Sequence, residues 1–293
     1  MRVFVTGATG FVGTVVVKEL INAGHQVLGL ARTDAGARSL VDAGAEVHRG
    51  DLEDLKSLRS GAAVADGVIH TAFIHDFSKF QENCEIDRRA VEALSAELAG
   101  TDRPLVITSG TALAAPGRVA TEADRPASQV PRIASEEAAD AAAAQGIRAM
   151  VVRLPQVHDT VKQGLVSYLI AVAREKGVSA YVGEGLNRWP AVHKLDAARL
   201  YRLVLEKGTA GARYHAIAED GVPLKQIGEA IGRGLKVPVV SITQEEASAH
   251  FGWLGLFAGI DCPGSSAWTQ EQLGWRPTDL PGMIADLNNM RYS

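Results

Sequence analysis

The sequence predicts an α/β protein in which helices cover both faces of a doubly wound parallel sheet. An apolar run at 3–5 leads directly into three glycines spaced three apart, Gly7, Gly10 and Gly13. Strand-like and helix-like segments then alternate through the first half of the chain, a pattern typical of a buried parallel sheet. With 293 residues, 46% of them hydrophobic, the chain can bury a sizeable core.

The elements follow one another in a regular order up to Pro155. Valine and leucine residues recur at helical spacing after Gly13, and Ala23-Gly24 ends that helix. The predicted strands lie at 3–5, 26–30, 46–48, 67–72, 104–109 and 148–154. The first predicted helix carries Val15, Val16, Leu20 and Ile21, and further helices are predicted at 35–42, in a segment that runs through Leu58, at 81–98 and at 134–144, the last capped by Ser135.

After Pro155 this alternation breaks. We expect helices at 164–176, 196–207, 224–235, 244–256 and 269–273, with short strands at 181–182 and 191–192. The segment 213–216 has the pattern of a strand that returns to the main sheet. The prediction is therefore a first domain over 1–156, rejoined by a strand near 212–218, and a second region over 157–293.

The glycine pattern indicates what the first domain holds. Gly7 permits a sharp strand-to-helix turn, Gly10 lets phosphates approach the backbone, and Gly13 lets the helix pack close to the strand. The helix N-terminus then offers free N–H groups and a positive dipole end to an anion. Turn glycines of an ordinary α/β domain are the alternative, but the β-α-β unit of about 30 residues favours a dinucleotide-binding Rossmann domain.

The residue that follows the second strand bears on which dinucleotide is bound. An acidic side chain about 20 residues past the glycines holds a ribose 2′-hydroxyl, whereas an arginine suits a 2′-phosphate. Arg32 stands 19 residues after Gly13, which favours NADP(H) over NAD(H), although Asp34 lies close to it. Asp51, after the third strand, is placed either to contact the adenine or to cap the next helix.

Composition excludes several other classes of protein. The net charge is −4 without a basic block, which disfavours nucleic acid, and no apolar run approaches the roughly 18 residues of a membrane span. A strand starts at once, so we expect no signal peptide and a cytoplasmic location. Cys84 and Cys262 form no metal or redox motif, His70 and His75 lack companions at metal-ligand spacing, and no G-x-S-x-G motif is present. We therefore expect neither a metal nor hydrolase chemistry.

Several motifs together resemble the extended short-chain dehydrogenase/reductases, the group that contains nucleotide-sugar epimerases and dehydratases. The similar segments are Thr6–Gly13, Gly50–Leu52, Val106–Thr111, Val152–His158 and Ala191–Ala198. The resemblance implies a nicotinamide cofactor and a small-molecule substrate. Together with the motif arguments, it assigns cofactor binding to Gly7, Thr9, Gly10, Phe11, Val12, Gly13, Arg32, Asp51, Leu52, Thr71, Ala72, Phe73, Pro155 and Val157.

The chain departs from this family where its catalytic Tyr-x-x-x-Lys belongs. Aligned by the neighbouring residues, Arg132 replaces the tyrosine and Glu136 replaces the lysine, and the first tyrosine of the sequence is Tyr168. Arginine can stabilise an oxyanion, but it does not release a proton at neutral pH. The chain is thus an atypical member, and the family's proton relay does not carry over to it.

Other residues are candidates for the missing proton donor. Ser109 and Thr111 lie at the end of the fifth predicted strand, where ligands bind in this fold, and His158 lies in the loop expected beside the nicotinamide. Tyr168 is a further candidate, and Trp189, Trp253 and Phe257 are candidates for an apolar pocket. A purely structural role is the alternative for each of them.

The sequence therefore predicts an NADP(H)-dependent oxidoreductase with a non-standard proton donor, acting on a small apolar carbonyl or conjugated substrate. A conjugated C=C bond tolerates the missing tyrosine better, because water can deliver the second proton. The alternatives are a catalytically silent NADP(H)-binding sensor or partner-binding protein, and an epimerase or dehydratase with tightly held cofactor. Helices 81–98 and 134–144 leave a homodimer open, although Arg88 and Arg89 interrupt any apolar stripe.

Overall fold

The computed structural model describes residues 1–126 and 130–292. Within these residues the strands are β1 Arg2–Thr6, β2 Gln26–Ala31, β3 Glu46–Arg49, β4 Gly67–His70, β5 Leu105–Gly110, β6 Ala149–Leu154, β7 Gln156–His158, β8 Ser179–Val182, β9 Arg188–His193, β10 Arg213–His215, β11 Glu219–Pro223 and β12 Val239–Ile242. The helices are α1 Phe11–Asn22, α2 Asp34–Asp42, α3 Leu55–Ala63, α4 Phe80–Ala96, α5 Ala134–Ala144, α6 Val166–Lys176, α7 Lys194–Lys207, α8 Leu224–Leu235, α9 Gln244–Phe251, α10 Gly255–Ala258, α11 Ala267–Leu273 and α12 Met283–Asn289.

The main sheet has seven described strands in the order β10-β6-β5-β4-β1-β2-β3. Every neighbouring pair in it is parallel, so all the carboxyl ends meet at one edge. Since β1 lies between β4 and β2, the chain reverses direction across the sheet beside the glycine loop, which is where ligands bind in such folds. The predicted fold class is confirmed.

Strand alternation divides the core of the main sheet between its two faces. Val3 and Val5 pack into one cluster with residues of α1 and α7, while Phe4 between them packs into the other with α3, α4 and α5. All three side chains are fully buried. The apolar run at the start of the chain therefore becomes a central strand covered on both faces.

The C-terminal residues build smaller sheets and a core of their own. One sheet has the order β11-β9-β7 and another pairs β12 with β8, while α6, α8, α9 and α12 contribute to a shared apolar cluster around the buried Trp189. The sequence predicted neither β11 nor β12, because both are short and β12 is largely exposed. β10, in contrast, pairs with β6 in the main sheet.

Two helical expectations were wrong in detail. The helix expected over 244–256 ends at Phe251, because Gly252 has a φ of +60° and a short 3-10 turn follows it. Ser135 does not cap α5 but lies inside it, where its hydroxyl contacts Asp87 instead. Across residues 1–126 and 130–292, no helix has both the length and the apolarity to cross a membrane.

Candidate functional site

The glycine loop has the geometry that close approach to a phosphate requires. Gly7 has a φ of +65°, and a Cβ placed there lies 2.6 Å from the Ala72 nitrogen. A Cβ at Gly13 lies 1.9 Å from the Gly7 carbonyl oxygen, so only glycine lets α1 start this close to β1. Gly10 faces open space except for the Gly7 carbonyl, and the first turn of α1 has no side-chain cap. Its N–H groups are therefore available to an anion.

An arginine and a carboxylate both follow the end of β2. Arg32 is 76% exposed, and its Nη1 lies 3.8 Å from Asp51 Oδ2. Asp34, which made the sequence prediction ambiguous, is 78% exposed and accepts a hydrogen bond of 2.5 Å from Arg49. Asp51 is not the N-cap of α3, since Asp54 accepts the hydrogen bonds from that helix's first turn. Both Arg32 and Asp34 are therefore accessible here, and Asp34 is paired with Arg49.

Arg132 is held in a fixed orientation at the edge of the sheet. Its Nη1 donates to Asp87 Oδ2 at 2.7 Å and also contacts Ser135, and its Nη2 donates to the Thr108 carbonyl at 2.8 Å. The guanidinium carbon lies 4.3 Å from the centre of the Phe73 ring, so the cation also stacks on an aromatic face. The side chain keeps 13% of its surface exposed. Arg132 lies in the short turn just before α5, and its contacts join this turn to α4, to β5 and to the loop after β4.

Asp87 anchors that arginine from the buried face of α4. Its carboxylate also accepts from His70 Nε2 at 3.1 Å, and His70 Nδ1 lies 2.7 Å from the Thr6 hydroxyl. Since a carboxylate only accepts, His70 Nε2 donates to Asp87, and His70 Nδ1 shares a hydrogen bond with the Thr6 hydroxyl. Burial raises the pKa of Asp87, but Arg132 and His70 outweigh it and hold this pKa well below its usual range. A buried polar chain therefore links the glycine-loop strand to Arg132.

Glu136 points away from this cluster, toward the sheet. Its carboxylate accepts a bidentate pair from Arg153 at 2.9 and 2.8 Å and a third hydrogen bond from Arg213 at 2.8 Å. All three side chains are buried. Burial raises the pKa of Glu136, but the hydrogen bonds and charge of Arg153 outweigh this and hold the pKa below its usual value. Glu136 is therefore a buried anion that joins α5 to β6 and β10.

The two predicted hydroxyl candidates differ in their surroundings. Ser109 is a register neighbour of Arg153 across β5 and β6, and its side chain is 4% exposed. Its Oγ lies close to the Glu136 carboxylate but lacks hydrogen-bond geometry to any of the described residues. Thr111 donates a long bond of 3.5 Å to the Leu154 carbonyl. Ser109 therefore holds a buried hydroxyl that still needs a partner.

Tyr201 carries a phenol close to β5, but its position excludes it as the proton donor for a ligand. The phenol is fully buried on α7 and lies 2.6 Å from the Thr108 hydroxyl, behind the strand whose carbonyl binds Arg132. Burial raises the pKa of Tyr201 above its ordinary value, which makes it a weaker acid. It therefore does not act as a proton donor to a ligand in the cleft.

His158 lies between α12 and β11 in the second region. Its Nδ1 lies 2.8 Å from Asp286 Oδ2 on α12, and its Nε2 lies 3.6 Å from Glu219 on β11. The ring is almost fully buried and meets the His193 ring edge-on at 5.7 Å. Both ring nitrogens therefore face a carboxylate, and His158 remains a predicted rather than a demonstrated donor.

A cluster of aromatic side chains lies beyond Phe73, next to Arg132. We define it as Phe77, Phe80, Tyr168 and Trp253. The Phe77 ring stacks on Trp253 at 3.9 Å and meets Tyr168 edge-on at 5.7 Å, while Phe80 stacks on Phe77 at 5.8 Å. Phe73, beneath Arg132, meets Phe80 edge-on. The loop after β4 thus joins the arginine to an apolar wall shared with the C-terminal region.

Two lysines flank the start of α1. Lys194 Nζ lies 5.3 Å and Lys162 Nζ 5.7 Å from the centre of the Phe11 ring. Lys194 also forms an ion pair with Asp159. These cations increase the positive potential at the helix end where a pyrophosphate is expected.

The structure brings the predicted cofactor residues to one edge of the main sheet. They lie at or just after the carboxyl ends of β1, β2, β3, β4 and β6: Gly7, Thr9, Gly10, Phe11, Val12, Gly13, Arg32, Asp51, Leu52, Thr71, Ala72, Phe73, Pro155 and Val157. The sequence analysis did not identify the residues that bind Arg132, and it did not identify the aromatic contacts of Phe77 and Phe80. A signal was present, because Asp87 stands among the apolar positions of α4 and needs a buried counter-charge there.

Comparisons with known proteins identify a matching family model and similar proteins in two yeasts. A family model described as the NAD-dependent epimerase/dehydratase family matches residues 3–218. The uncharacterized protein C2A9.02 of Schizosaccharomyces pombe is 50% identical over 295 residues, with all of both chains covered. The uncharacterized protein YLL056C of Saccharomyces cerevisiae is 45% identical over 292 residues, with 98% of each chain covered.

Among solved structures, a dTDP-glucose 4,6-dehydratase of Streptomyces venezuelae, DesIV, determined with NAD bound, is similar in fold. It superposes with a TM-score of 0.77 at 20% sequence identity, covering 100% of this chain and 96% of that one. This likeness extends the fold assignment over the whole length of the chain.

Proposed function

Because the chain belongs to the NAD-dependent epimerase/dehydratase family, an extended short-chain dehydrogenase/reductase group, we propose that it is an NADP(H)-dependent oxidoreductase. Its substrate in this proposal is a small apolar carbonyl or conjugated compound, and its proton donor is non-standard. The observation that carries the proposal is the glycine loop, where Gly7, Gly10 and Gly13 leave room for a pyrophosphate against uncapped N–H groups.

The residues around the loop fit such a cofactor. The first turn of α1 and the two lysines beside Phe11 would hold the pyrophosphate, and Arg32 and Asp51 would contact the adenosine end. Thr71–Phe73 and Pro155–Val157 would line the nicotinamide end. The bound nicotinamide supplies or accepts a hydride, and the protein supplies orientation and electrostatics.

The preference for NADP(H) rests on Arg32. Its guanidinium is largely exposed and can form bidentate bonds with a 2′-phosphate, and the charge of Asp34, which is equally exposed, is offset by its ion pair with Arg49. Hydrogen bonds to charged groups contribute about 1.5–3 kcal/mol. We expect Arg32→Ala to weaken NADPH binding by roughly ten- to hundredfold, since each 1.4 kcal/mol is about tenfold, and to leave NADH binding unchanged.

Calorimetric titration of both reduced cofactors tests this preference. Arg59→Ala is a matched control, because Arg59 is an exposed arginine on α3, the helix after Asp51. Equal losses for NADPH and NADH in Arg32→Ala, or tighter NADH binding to the unchanged protein, would contradict the preference. No binding of either cofactor would overturn the proposed function itself.

The aromatic cluster supports an apolar substrate, and the ion pairs at Arg132 and Glu136 support a non-standard donor. We test both by following NADPH absorbance at 340 nm with a panel of carbonyl and conjugated substrates. Ser109→Ala, Thr111→Val and His158→Gln should show which side chain assists proton delivery, provided that cofactor binding is retained. Tight cofactor binding without NADPH consumption on any substrate would count heavily against an oxidoreductase.

A further inference from the structure

We propose that Arg132 is the catalytic group that stabilises negative charge on the substrate oxygen, and that the substrates are conjugated carbonyl compounds reduced at their C=C bond. The inference rests on the proposed function and deepens it by naming the substrate class. It follows from three features of the site: a fixed cation, the lack of a suitable acid beside it, and a planar apolar wall.

The cation is prepared for an oxyanion before any ligand arrives. Asp87, Ser135 and the Thr108 carbonyl occupy one side of the Arg132 guanidinium, and the Phe73 ring covers a face. Among residues 1–126 and 130–292, Nε and one Nη2 hydrogen have no acceptor, and part of the side chain remains exposed. A donor held by its neighbours stabilises developing charge without reorganising, which is the most effective form of electrostatic catalysis.

The groups in contact with Arg132 supply a cation but no acid. Arginine does not release its proton near neutrality. Tyr201 is buried behind Thr108 with a raised pKa, and the Asp87 carboxylate is ionised and accepts three hydrogen bonds. His75, in the loop after β4, is an imidazole near this cluster, and burial together with the charges of Lys162 and Arg132 lowers its pKa, which disfavours its charged, proton-donating form. The Ser109 hydroxyl is buried beside the Glu136 carboxylate, and serine is not an acid at this pH. The site therefore suits a reaction whose first product anion survives long enough to take its proton from water.

Conjugate reduction meets that requirement. With the reduced nicotinamide bound, a hydride would be supplied to the β-carbon, the π electrons of the C=C bond would move into the bond between the α-carbon and the carbonyl carbon, and the C=O π electrons would move to the oxygen. The resulting enolate oxygen would lie against Arg132, water would protonate the α-carbon, and the nicotinamide would be left oxidised. An enolate spreads its charge over oxygen and carbon and is a weaker base than the alkoxide of a simple ketone. A cation without a proton is sufficient for the enolate but not for the alkoxide.

The aromatic cluster gives independent support. Phe77 and Trp253 stack nearly parallel, at 9°, and Trp253 keeps 41% of its surface exposed. Phe73 continues this wall to the arginine. A planar conjugated substrate can stack along these rings with its oxygen toward Arg132, an arrangement that a puckered saturated compound fills less well.

A matched pair of substrates tests the substrate class. We expect NADPH oxidation with 2-cyclohexenone and at least tenfold slower oxidation with cyclohexanone. Cofactor deuterated at the transferable position should place deuterium on the β-carbon of the product, and D2O should place it on the α-carbon. Equal or faster reduction of cyclohexanone, or deuterium on the carbonyl carbon, would overturn the inference while leaving the proposed oxidoreductase intact.

Substitutions of Arg132 test whether it stabilises the charge on the substrate oxygen. Arg132→Gln should lower kcat/KM for the enone by about 10²–10³-fold, the usual effect of losing an oxyanion donor. Because this change removes the guanidinium that neutralises the buried Asp87, leaving only its His70 and Ser135 contacts, we pair it with Asp87→Asn/Arg132→Gln, which removes both charges. A merely structural arginine predicts that the double variant regains activity, whereas the inference predicts that it does not. Arg89→Gln, on the exposed face of α4, is the control and should behave as the unchanged protein.

A binding measurement decides the role of Arg132 without turnover. 4-Nitrophenol is a planar compound whose visible absorbance reports its ionisation, and its phenolate oxygen resembles an enolate oxygen. In the complex with NADP⁺ we expect the unchanged protein to lower the pKa of bound nitrophenol, and Arg132→Gln to abolish that shift. An equal shift in both proteins would overturn the inference. If no compound oxidises NADPH but the shift depends on Arg132, the proposed function fails and the anion site stands.

Discussion

A lysine at position 136, where the sequence analysis expects the family lysine, should destabilise this protein. Glu136 accepts three hydrogen bonds from Arg153 and Arg213, and all three side chains are buried. Glu136→Lys removes the anion and puts a third cation in the same site. Breaking one buried pair by removing its partner costs about 3–5 kcal/mol. Since Arg153 loses its carboxylate partner, Arg213 keeps only Asp140, and both arginines meet a like charge, we expect a loss of at least about 4 kcal/mol.

That loss is comparable with the whole free energy of unfolding of many domains, about 5–15 kcal/mol. Glu137→Lys is the matched control, because Glu137 is the next residue on α5, is exposed, and undergoes the same change in charge. Urea unfolding followed by circular dichroism should show a large drop in midpoint for Glu136→Lys and a change below about 0.5 kcal/mol for Glu137→Lys. Equal midpoints for the two variants would refute the reasoning that Glu136 is a structural anion.

Two further outcomes follow from the loop and from Asp87. Gly10→Ala should keep most of the stability but lose at least tenfold in NADPH affinity by calorimetry, because its Cβ meets only the Gly7 carbonyl at 3.1 Å and otherwise enters the phosphate space. An unchanged affinity would contradict the loop assignment. The lowered pKa of Asp87 means that the unfolded chain binds its proton more readily, so the stability it contributes is present above about pH 4 and is lost as the pH falls. Asp87→Asn should flatten the acid limb of a plot of unfolding free energy against pH, and an unchanged limb would contradict the assignment.

The sequence was sufficient for the main sheet and the glycine loop because both depend on local signals. Val3–Val5 is apolar on both faces of a strand, and the glycine spacing is interpretable only as a turn before a helix. The two-stranded sheet of β8 and β12 is less evident from the sequence, since each strand has four residues and is partly exposed. Short strands are fixed by what they pack against rather than by their own pattern.

Local sequence patterns do not show which charged residues of the candidate site pair with one another. Arg132 and Asp87 are 45 residues apart, and His158 and Asp286 are 128 apart. The charge of each residue is visible in the sequence, but the residue that neutralises it depends on how α4, α5 and α12 pack. Arg153 could have been recognised as paired, because it lies in a run of apolar residues in a central strand, where an isolated cation is too costly.

The side chains at positions 132 and 136 are matched by the residues around them. Arg132 neutralises Asp87, and Glu136 neutralises Arg153 and contributes to neutralising Arg213, so both charges are built into the packing. An uncharged side chain at 132 would remove the guanidinium from the buried Asp87, and a lysine at 136 would face two buried arginines. A tyrosine and a lysine at these two positions therefore do not fit this packing, and the partly exposed guanidinium of Arg132 is the group that would meet a bound oxygen atom in the site that we propose.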